Sequence, residues 1–261
     1  MKTSLFDDVP KPLIAMIHLP PVPGAANYEG RRVREIADDA AREAVLLERS
    51  GFDGVMIQNT HDRPSRERVP AGTIAAMSAV AARVADHVGI PLGINAHKND
   101  AEAGLAIATA SGATFVRVKV LVGAVVGVEG LIEGAAERAL TVKRDYASQV
   151  EIWADLYELT SWPLAETSLE NLADLTTRFG GADRLIVTDQ TVEQSRAAVE
   201  RVRHATPLPV LIGGRTSTTT ISEALAGADG VIVGTCLRVS ARTDQPLDPE
   251  AIRAFMSVAR A

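Results

Sequence analysis

Short apolar runs alternate with longer amphipathic stretches through most of the chain, a pattern that predicts repeated β-α units around a parallel sheet. Eight runs have strand length: Leu13–Leu19, Gly54–Asn59, Leu92–His97, Phe115–Val120, Glu151–Leu156, Arg184–Asp189, Pro209–Gly214 and Gly230–Thr235. Between the first two, Val33, Ile36, Ala40, Ala44 and Leu47 recur at helical spacing, with Asp38, Asp39, Arg42 and Glu43 on the other side. The alanine-rich stretches "TIAAMSAVAARVADH" and "AEAGLAIATAS" suit helices that approach a sheet closely.

A weak internal repeat decides between sheet types. "GFDGVMI", "GATFVRV", "GADRLIV" and "GADGVIV" lead into the second, fourth, sixth and eighth runs. In each, glycine can cap a helix in the left-handed conformation, and the residues after it turn the chain into the strand. Recurrence at every second strand implies a fourfold arrangement, which a closed (β/α)8 TIM barrel satisfies better than a Rossmann sheet. The Rossmann reading also lacks a G-x-G-x-x-G after the first strand. The expectation is one α/β barrel over residues 1–261, with residues 1–12 as an N-terminal extension.

Within "TFVRVKV", Val116, Val118 and Val120 alternate with Arg117 and Lys119. In a barrel the valines would pack on helices and the two cations would point inward, where active sites gather at the carboxyl ends of the strands. The same alternation turns His18, Gln58, Asn95, His97, Trp153 and Asp155 inward, and Asn59, Thr188 and Asp189 lie at strand ends. Lys119, Asp155, His97, His18, Arg117 and Asp189 are therefore the candidate catalytic residues, and Gln58, Asn59, Asn95, Trp153 and Thr188 the candidate substrate contacts. Lys119 is expected near Asp155 and His97, as an electrostatic anchor, a base or an imine-forming amine. The alternative is a structural ion network of Arg117, Lys119, Glu151 and Asp155.

The last two strand ends carry "IGGRTS" and "IVGT". Amides of Gly213, Gly214 and Gly234, with Arg215, Thr216, Ser217 and Thr235, form a candidate phosphate cradle where barrels commonly hold one.

Composition narrows the class of ligand. A hydrophobic content of 46% and a net charge of -6 with mixed signs argue for a globular chain without a nucleic-acid footprint. A small molecule, phosphorylated if the cradle is real, is the expected partner, and a homo-oligomer is compatible with the sequence. The single cysteine, Cys236, excludes an internal disulfide and reads as a packing residue. The nearest apolar run, "VLVGAVVGV", is too short for a stable membrane insertion, and "MKTSLFDDVPKP" lacks a signal-peptide core, so a cytoplasmic location is expected. H-E-x-x-H, paired C-x-x-C and G-x-S-x-G motifs are missing. No cofactor is expected, although His18, His97, Asp100 and Asp155 leave a shared divalent ion open. His61 and Asp62 sit in a long polar loop, "NTHDRPSRERVPAGT", as ligands, catalytic groups or loop-solvating residues.

"MIHLPPVPGAANYEG", "GFDGVMIQNTHDRP", "PLGINAHKNDAEAGLAIATASGATFVRVKVLVGA", "GLIEGAAERAL" and "ADGVIVGT" resemble the BtpA/SgcQ family of TIM-barrel proteins over nearly the whole chain. The resemblance implies a ribulose-phosphate-binding-like barrel. It also implies two unlike settings, since the founding member is associated with photosystem I accumulation and others sit among sugar-metabolism genes. Against the family pattern, Gln58 replaces an acidic residue, Thr60-His61 a Phe-Gly pair, and Lys119 an asparagine. Leu159-Thr160 replaces Lys-His, Thr188–Thr191 a glycine-bearing turn, and Gly214-Arg215 a Ser-Gly pair. Changes clustered at strand ends imply an altered substrate or reaction. The leading expectation is an isomerase or lyase acting on a phosphorylated sugar or nucleotide-like compound. The alternatives are a nucleosidase-like enzyme using Asp155 or Asp189 as acid or base, and a non-catalytic assembly factor. The last would need an exposed apolar patch or membrane affinity, which the sequence does not display.

Overall fold

The computed structural model describes Phe6, residues 9–157 and residues 159–261, so the expected extension over residues 1–12 lies largely outside the described residues. Eight parallel strands close into a barrel: β1 (Leu13–His18), β2 (Gly54–Gln58), β3 (Leu92–Asn95), β4 (Phe115–Val118), β7 (Glu151–Tyr157), β9 (Arg184–Val187), β10 (Val210–Gly213) and β11 (Val231–Val233). The last strand returns to the first through Leu13–Val231, Ile14–Ile232 and Ala15–Val233. Helices α1 (Val33–Arg49), α2 (Ala71–Ala85), α3 (Ala101–Ser111), α4 (Ala136–Asp145), α5 (Leu169–Arg178), α6 (Val192–Arg203), α7 (Ile221–Gly227) and α8 (Pro249–Ala259) follow the strands in turn.

Alternation along each strand divides the apolar side chains into two layers. Outward residues, Val116 and Val118 among them, pack with the helices in one large buried cluster. Inward residues Ile14, Met16, Met56, Phe115, Trp153, Ile186, Leu211 and Ile232 form a second cluster inside the barrel, completed by Phe6. Phe115 and Trp153 stack with ring centres 4.0 Å apart, and Phe6 meets Trp153 edge-on at 5.5 Å. Arg184 lies over the Phe6 and Trp153 rings, and its guanidinium is 3.3 Å from Glu151 Oε2. Glu151 and Arg184 are thus an ion pair at the amino ends of the strands, far down the barrel from Arg117 and Lys119.

The fourfold repeat has a mechanical role at that same end. The side chains of Asp53, Asp183 and Asp229 accept from the backbone amides of Leu13, Ile152 and Val210 at 2.7, 2.8 and 2.9 Å. Their own amides donate back to the carbonyls of the same three residues, and Thr114 donates to Leu92 in the same way. Each repeat therefore clasps the start of a neighbouring strand. Gly51, Gly112 and Gly181 have the expected left-handed φ, at 93°, 76° and 67°. Gly227 does not belong to that set. A Cβ there would stand 2.7 Å from the Arg196 side chain, so the fourth glycine serves a close approach instead.

One element was not anticipated. β5 (Ala124–Gly127), β6 (Gly130–Glu133) and β8 (Ser161–Pro163) form a small antiparallel sheet in the order β6-β5-β8, drawn from the loops after β4 and β7. The apolar run "VLVGAVVGV" supplies β5, because its valines find cross-strand partners rather than a helix face. Val125 pairs with Ile132 and Pro163, and Ile132 is fully buried. On the opposite face, Val126 pairs with Leu131 and Trp162, which are 40%, 52% and 65% exposed. This is an exposed apolar face that the sequence alone did not display. Among the described residues, no helix is long and apolar enough to cross a membrane.

The inner layer leaves no room for a side chain at Gly93, where a Cβ would lie 2.2 Å from the Phe115 ring. Gly93→Ala is expected to destabilise the fold by about 1–3 kcal/mol through overpacking. Denaturant unfolding should show much of that loss recovered when Phe115→Leu is added, since the shorter side chain vacates the contact.

Candidate active site

Above the apolar inner layer, the carboxyl ends of the strands enclose a cavity of about 520 Å3. β1 contributes Met16 and His18, β2 contributes Gln58, and the end of β4 contributes Arg117 and Lys119. Thr188 follows β9, Gly213 ends β10 with Gly214, Arg215 and Thr216 after it, and Gly234, Thr235 and Cys236 follow β11. The register explains the gathering: His18 pairs with Gln58 and Gln58 with Asn95, so all three project from one side of the sheet at one level.

Arg117 forms a two-pronged bond to Asp155, with Nε 2.7 Å from Oδ2 and an Nη 2.6 Å from Oδ1. Lys119 Nζ lies 3.6 Å from the same carboxylate. Asp155 is wholly buried beneath them. Asn95 is also fully buried, and its amide donates to Arg117 O at 3.2 Å, so it supports the floor rather than lining the cavity.

His18 faces Gly234 at the end of the neighbouring strand, β11. Its Nδ1 is 2.7 Å from Thr60 Oγ1, and its Nε2 is buried without a hydrogen-bond partner. A Cβ on Gly234 would stand 2.7 Å from that Nε2, so only glycine admits the ring. Burial, reinforced by Arg238 and then His61, pushes the His18 pKa down to about 3, and the ring is neutral at ordinary pH. At Gly213 a Cβ would meet Ile186, Thr188 Oγ1 at 2.9 Å and an Arg117 nitrogen at 3.1 Å. Thr188 donates to Gly213 O. Thr216 is 6% exposed, and its hydroxyl is buried without a hydrogen-bond partner. Arg215 beside it has a left-handed φ of 60°.

Several expected residues stand elsewhere. Trp153 does face inward, but one inward position below Asp155, packed against Phe115 and Phe6 with its ring N–H on Glu151. Asn59 is a buried clip: its Oδ1 accepts from the His97 amide at 2.7 Å and its amide donates to Asp62. His97 turns away from Lys119 toward Ser65, lining a small space with Asn59 and Asp62. The carboxylate of Asp189 accepts from the Gln190 amide in the turn before α6. The Gly214 amide donates to Ile232 O, which removes it from the expected anion cradle, and the Ser217 hydroxyl is bonded to those of Thr219 and Thr220. Asp100 caps α3 and holds the Val69 amide, and among the described residues no group of three His, Cys, Asp or Glu side chains is placed to hold a metal.

His61 bonds to Thr243 O, and Asp62 accepts from the Val22 amide, so both organise loops. Burial raises the Asp62 carboxyl above its usual range. Cys236 reaches the cavity wall, but burial pushes its thiol up to about 11, which fits packing and not nucleophilic attack. Lys98 went unnoticed in the sequence. It is almost completely buried behind the cavity, with Nζ 2.6 Å from Thr160 Oγ1 and 3.8 Å from Glu129 Oε2. Its only sequence signal was a lysine following a buried strand.

A model of the BtpA family matches residues 9–261. An uncharacterized protein of Thermococcus kodakarensis is 33% identical over 254 residues, spanning 96% of this chain and 95% of its own length. The photosystem I biogenesis protein BtpA of Synechocystis is 33% identical over 250 residues, spanning 94% and 86%. A Mycobacterium tuberculosis tryptophan synthase structure superposes with a TM-score of 0.63 at 15% identity, over 98% of this chain and 97% of the other. N-(5'-phosphoribosyl)anthranilate isomerase from Pyrococcus furiosus gives 0.57 at 13% identity, over 96% and 98%. At such identities the likeness is one of fold.

The neutral His18 makes a pH prediction. Its pKa is about 3 folded against 6.5 for the free side chain, so between those values the unfolded chain binds the extra proton. Full stability holds above pH 6.5 and is lost progressively as pH falls toward 3. Denaturant titrations should find the protein roughly 2 kcal/mol less stable at pH 5 than at pH 7 from this residue. In His18→Gln that increment should vanish.

Proposed function

The chain belongs to the BtpA family, and from the geometry of its cavity we propose an enzyme of isomerase or lyase type acting on a small phosphorylated sugar or nucleotide-like compound. The observation that carries the proposal is the charge of the lining: among the described residues, Arg117, Lys119 and Arg215 line the cavity and no carboxylate does. Such a cavity attracts anions. The buried Thr216 hydroxyl supplies a hydrogen-bonding group for a phosphoryl oxygen, on the wall it shares with Gly213 and Gly234. Solved barrels with similar folds include enzymes whose names carry phosphorylated compounds, thiamine phosphate pyrophosphorylase and phosphoribosylanthranilate isomerase.

In this reading the phosphate sits against residues 213–216 and 234–235, and the reacting carbon lies toward β4. Isomerisation next to a carbonyl takes a proton from carbon, and cleavage of a bond one carbon further takes one from a hydroxyl. Both build negative charge on the carbonyl oxygen while water in the open cavity carries the proton away. Lys119 and Arg117, steadied by Asp155, stabilise that charge. A neutral His18 accepts a substrate hydroxyl through Nε2 and orients it; with so low a pKa it is a poor proton carrier. Lys119 is an electrostatic anchor, because an amine 3.6 Å from a buried carboxylate is favoured as ammonium.

Thermal denaturation with phosphate and sugar phosphates tests the anion site, since saturation at a hundred times Kd stabilises by about 2.7 kcal/mol. Thr216→Val should leave the unliganded protein as stable as before, because its hydroxyl has no partner to lose, yet weaken phosphate about tenfold. An absent thermal shift at millimolar phosphate would refute the site. Lys119→Met should cost at least about tenfold in turnover of a phosphorylated substrate, while borohydride treatment with candidate carbonyl substrates should leave no adduct on Lys119.

The exposed face formed by Val126, Leu131 and Trp162 favours a second, non-catalytic reading, an assembly role of the kind named for the Synechocystis relative. Flotation with anionic and neutral lipid vesicles is its test. On the enzymatic reading the protein stays in the dense fraction, and co-flotation that disappears in Trp162→Ser would favour the assembly role.

A further inference from the structure

The polar cavity is not alone at the barrel mouth. A second chamber of about 270 Å3 lies between the ends of β4 and β7, strand β8 and helix α5. Lys119 lines both spaces, and Asp155 lines the second from below. The other walls are chiefly aliphatic: Val120, Val125, Leu156, Pro163, Leu172 and Leu175. Val125 and Pro163 face each other across the β5–β8 pair, so the unanticipated small sheet is what roofs the chamber.

The position of the two spaces relative to the phosphate residues sets the shape of a ligand that fills both. Around the barrel, β4 stands three places from β10, through β7 and β9. At about 4.8 Å per strand that is about 14 Å along the wall. A ligand reaching from the glycines after β10 to the chamber passes over the Arg117–Asp155 fork and beside Lys119. Its ends then meet opposite environments, cationic and hydroxylic at one, aliphatic at the other.

We infer that the chamber is a subsite for an apolar group of the same substrate, which is therefore a phosphate monoester carrying an aromatic ring or branched aliphatic group at its far end, not a simple sugar phosphate. The inference rests on the phosphate site proposed above and adds the substrate's second end. An apolar group there also explains the small sheet: a free sugar would gain little from a roof of Val125 and Pro163, whereas a ring buried beneath them leaves water altogether.

Calorimetric titration of the intact protein with inorganic phosphate, glycerol phosphate and ω-phenylalkyl phosphates of increasing linker length tests this. Burying a ring should tighten the best phenylalkyl phosphate at least about tenfold over glycerol phosphate, with an optimum at one linker length. Ala124→Trp, which fills the chamber, and Leu164→Glu, at a chamber residue already 59% exposed, should each erase that gain and leave inorganic phosphate unchanged. Leu131→Ser, on the outer face of the small sheet, should keep it. Equal affinity for phenylalkyl and glycerol phosphates, with phosphate binding intact, overturns the subsite and spares the phosphate site. A gain that survives both chamber variants, or that disappears in Leu131→Ser, also overturns it. Loss of all phosphate binding removes the phosphate site and this inference together.

Discussion

Burying a guanidinium inside a barrel is possible only if a carboxylate meets it, and the Arg117–Asp155 fork is the contact on which the rest of the site depends. Arg117 is 8% exposed and Asp155 not at all, so loss of either partner leaves a buried charge uncompensated, a cost of about 3–5 kcal/mol. Beneath the fork lie Phe115 and Trp153, stacked and dry; above it lies the cavity. The pair is therefore the boundary between the half of the barrel that is a core and the half that is a vessel. Lys119 attaches to the same carboxylate, so one anion meets two cations at the floor of the cavity.

The strand faces were legible because period-2 alternation is a property of extended backbone, and His18, Gln58 and Arg117 all line the cavity for that reason. Beyond the ladder alternation no longer decides, for Lys119 and Thr188, one residue past β4 and β9, line the cavity while other strand-end residues do not. β2 ends at Gln58, β3 at Asn95 and β9 at Val187, and the misplaced residues Asn59, His97 and Asp189 lie just beyond those ends. There the backbone turns and loop hydrogen bonds decide direction. Trp153 failed differently: alternation reports which face a residue occupies and nothing about its depth, and its neighbours Phe6 and Phe115 are distant in sequence. The small sheet escaped notice because each of its strands is three or four residues long, too short for alternation to be distinguished from a loop.

That sheet also joins parts of the chain that the barrel alone keeps separate. β5 and β6 come from the loop after β4, and β8 from the loop after β7. Lys98, just past β3, reaches into the same region to bond Thr160 before β8 and to pair with Glu129 in the β5–β6 turn. Three successive strand ends are thereby cross-linked over one side of the mouth. The opposite side, formed by the loops after β10 and β11, carries the glycines and Thr216. A built wall thus faces one of glycines and hydroxyls, with Lys119 and Leu159-Thr160 toward the first and Gly214-Arg215 on the second.

Barrel closure sets a timetable for the growing chain. β1 is made first, yet one of its two edges is completed only by β11, and Leu13 and Val231 are more than two hundred residues apart. During synthesis the nascent barrel is an open sheet whose leading strand keeps a bare row of amides and carbonyls, the kind of edge on which chains stick to one another. Phe6 faces the same delay, since Phe115 and Trp153 emerge from the ribosome long after it. Phe6 and the first strand consequently stay uncovered on that side until β11 has emerged.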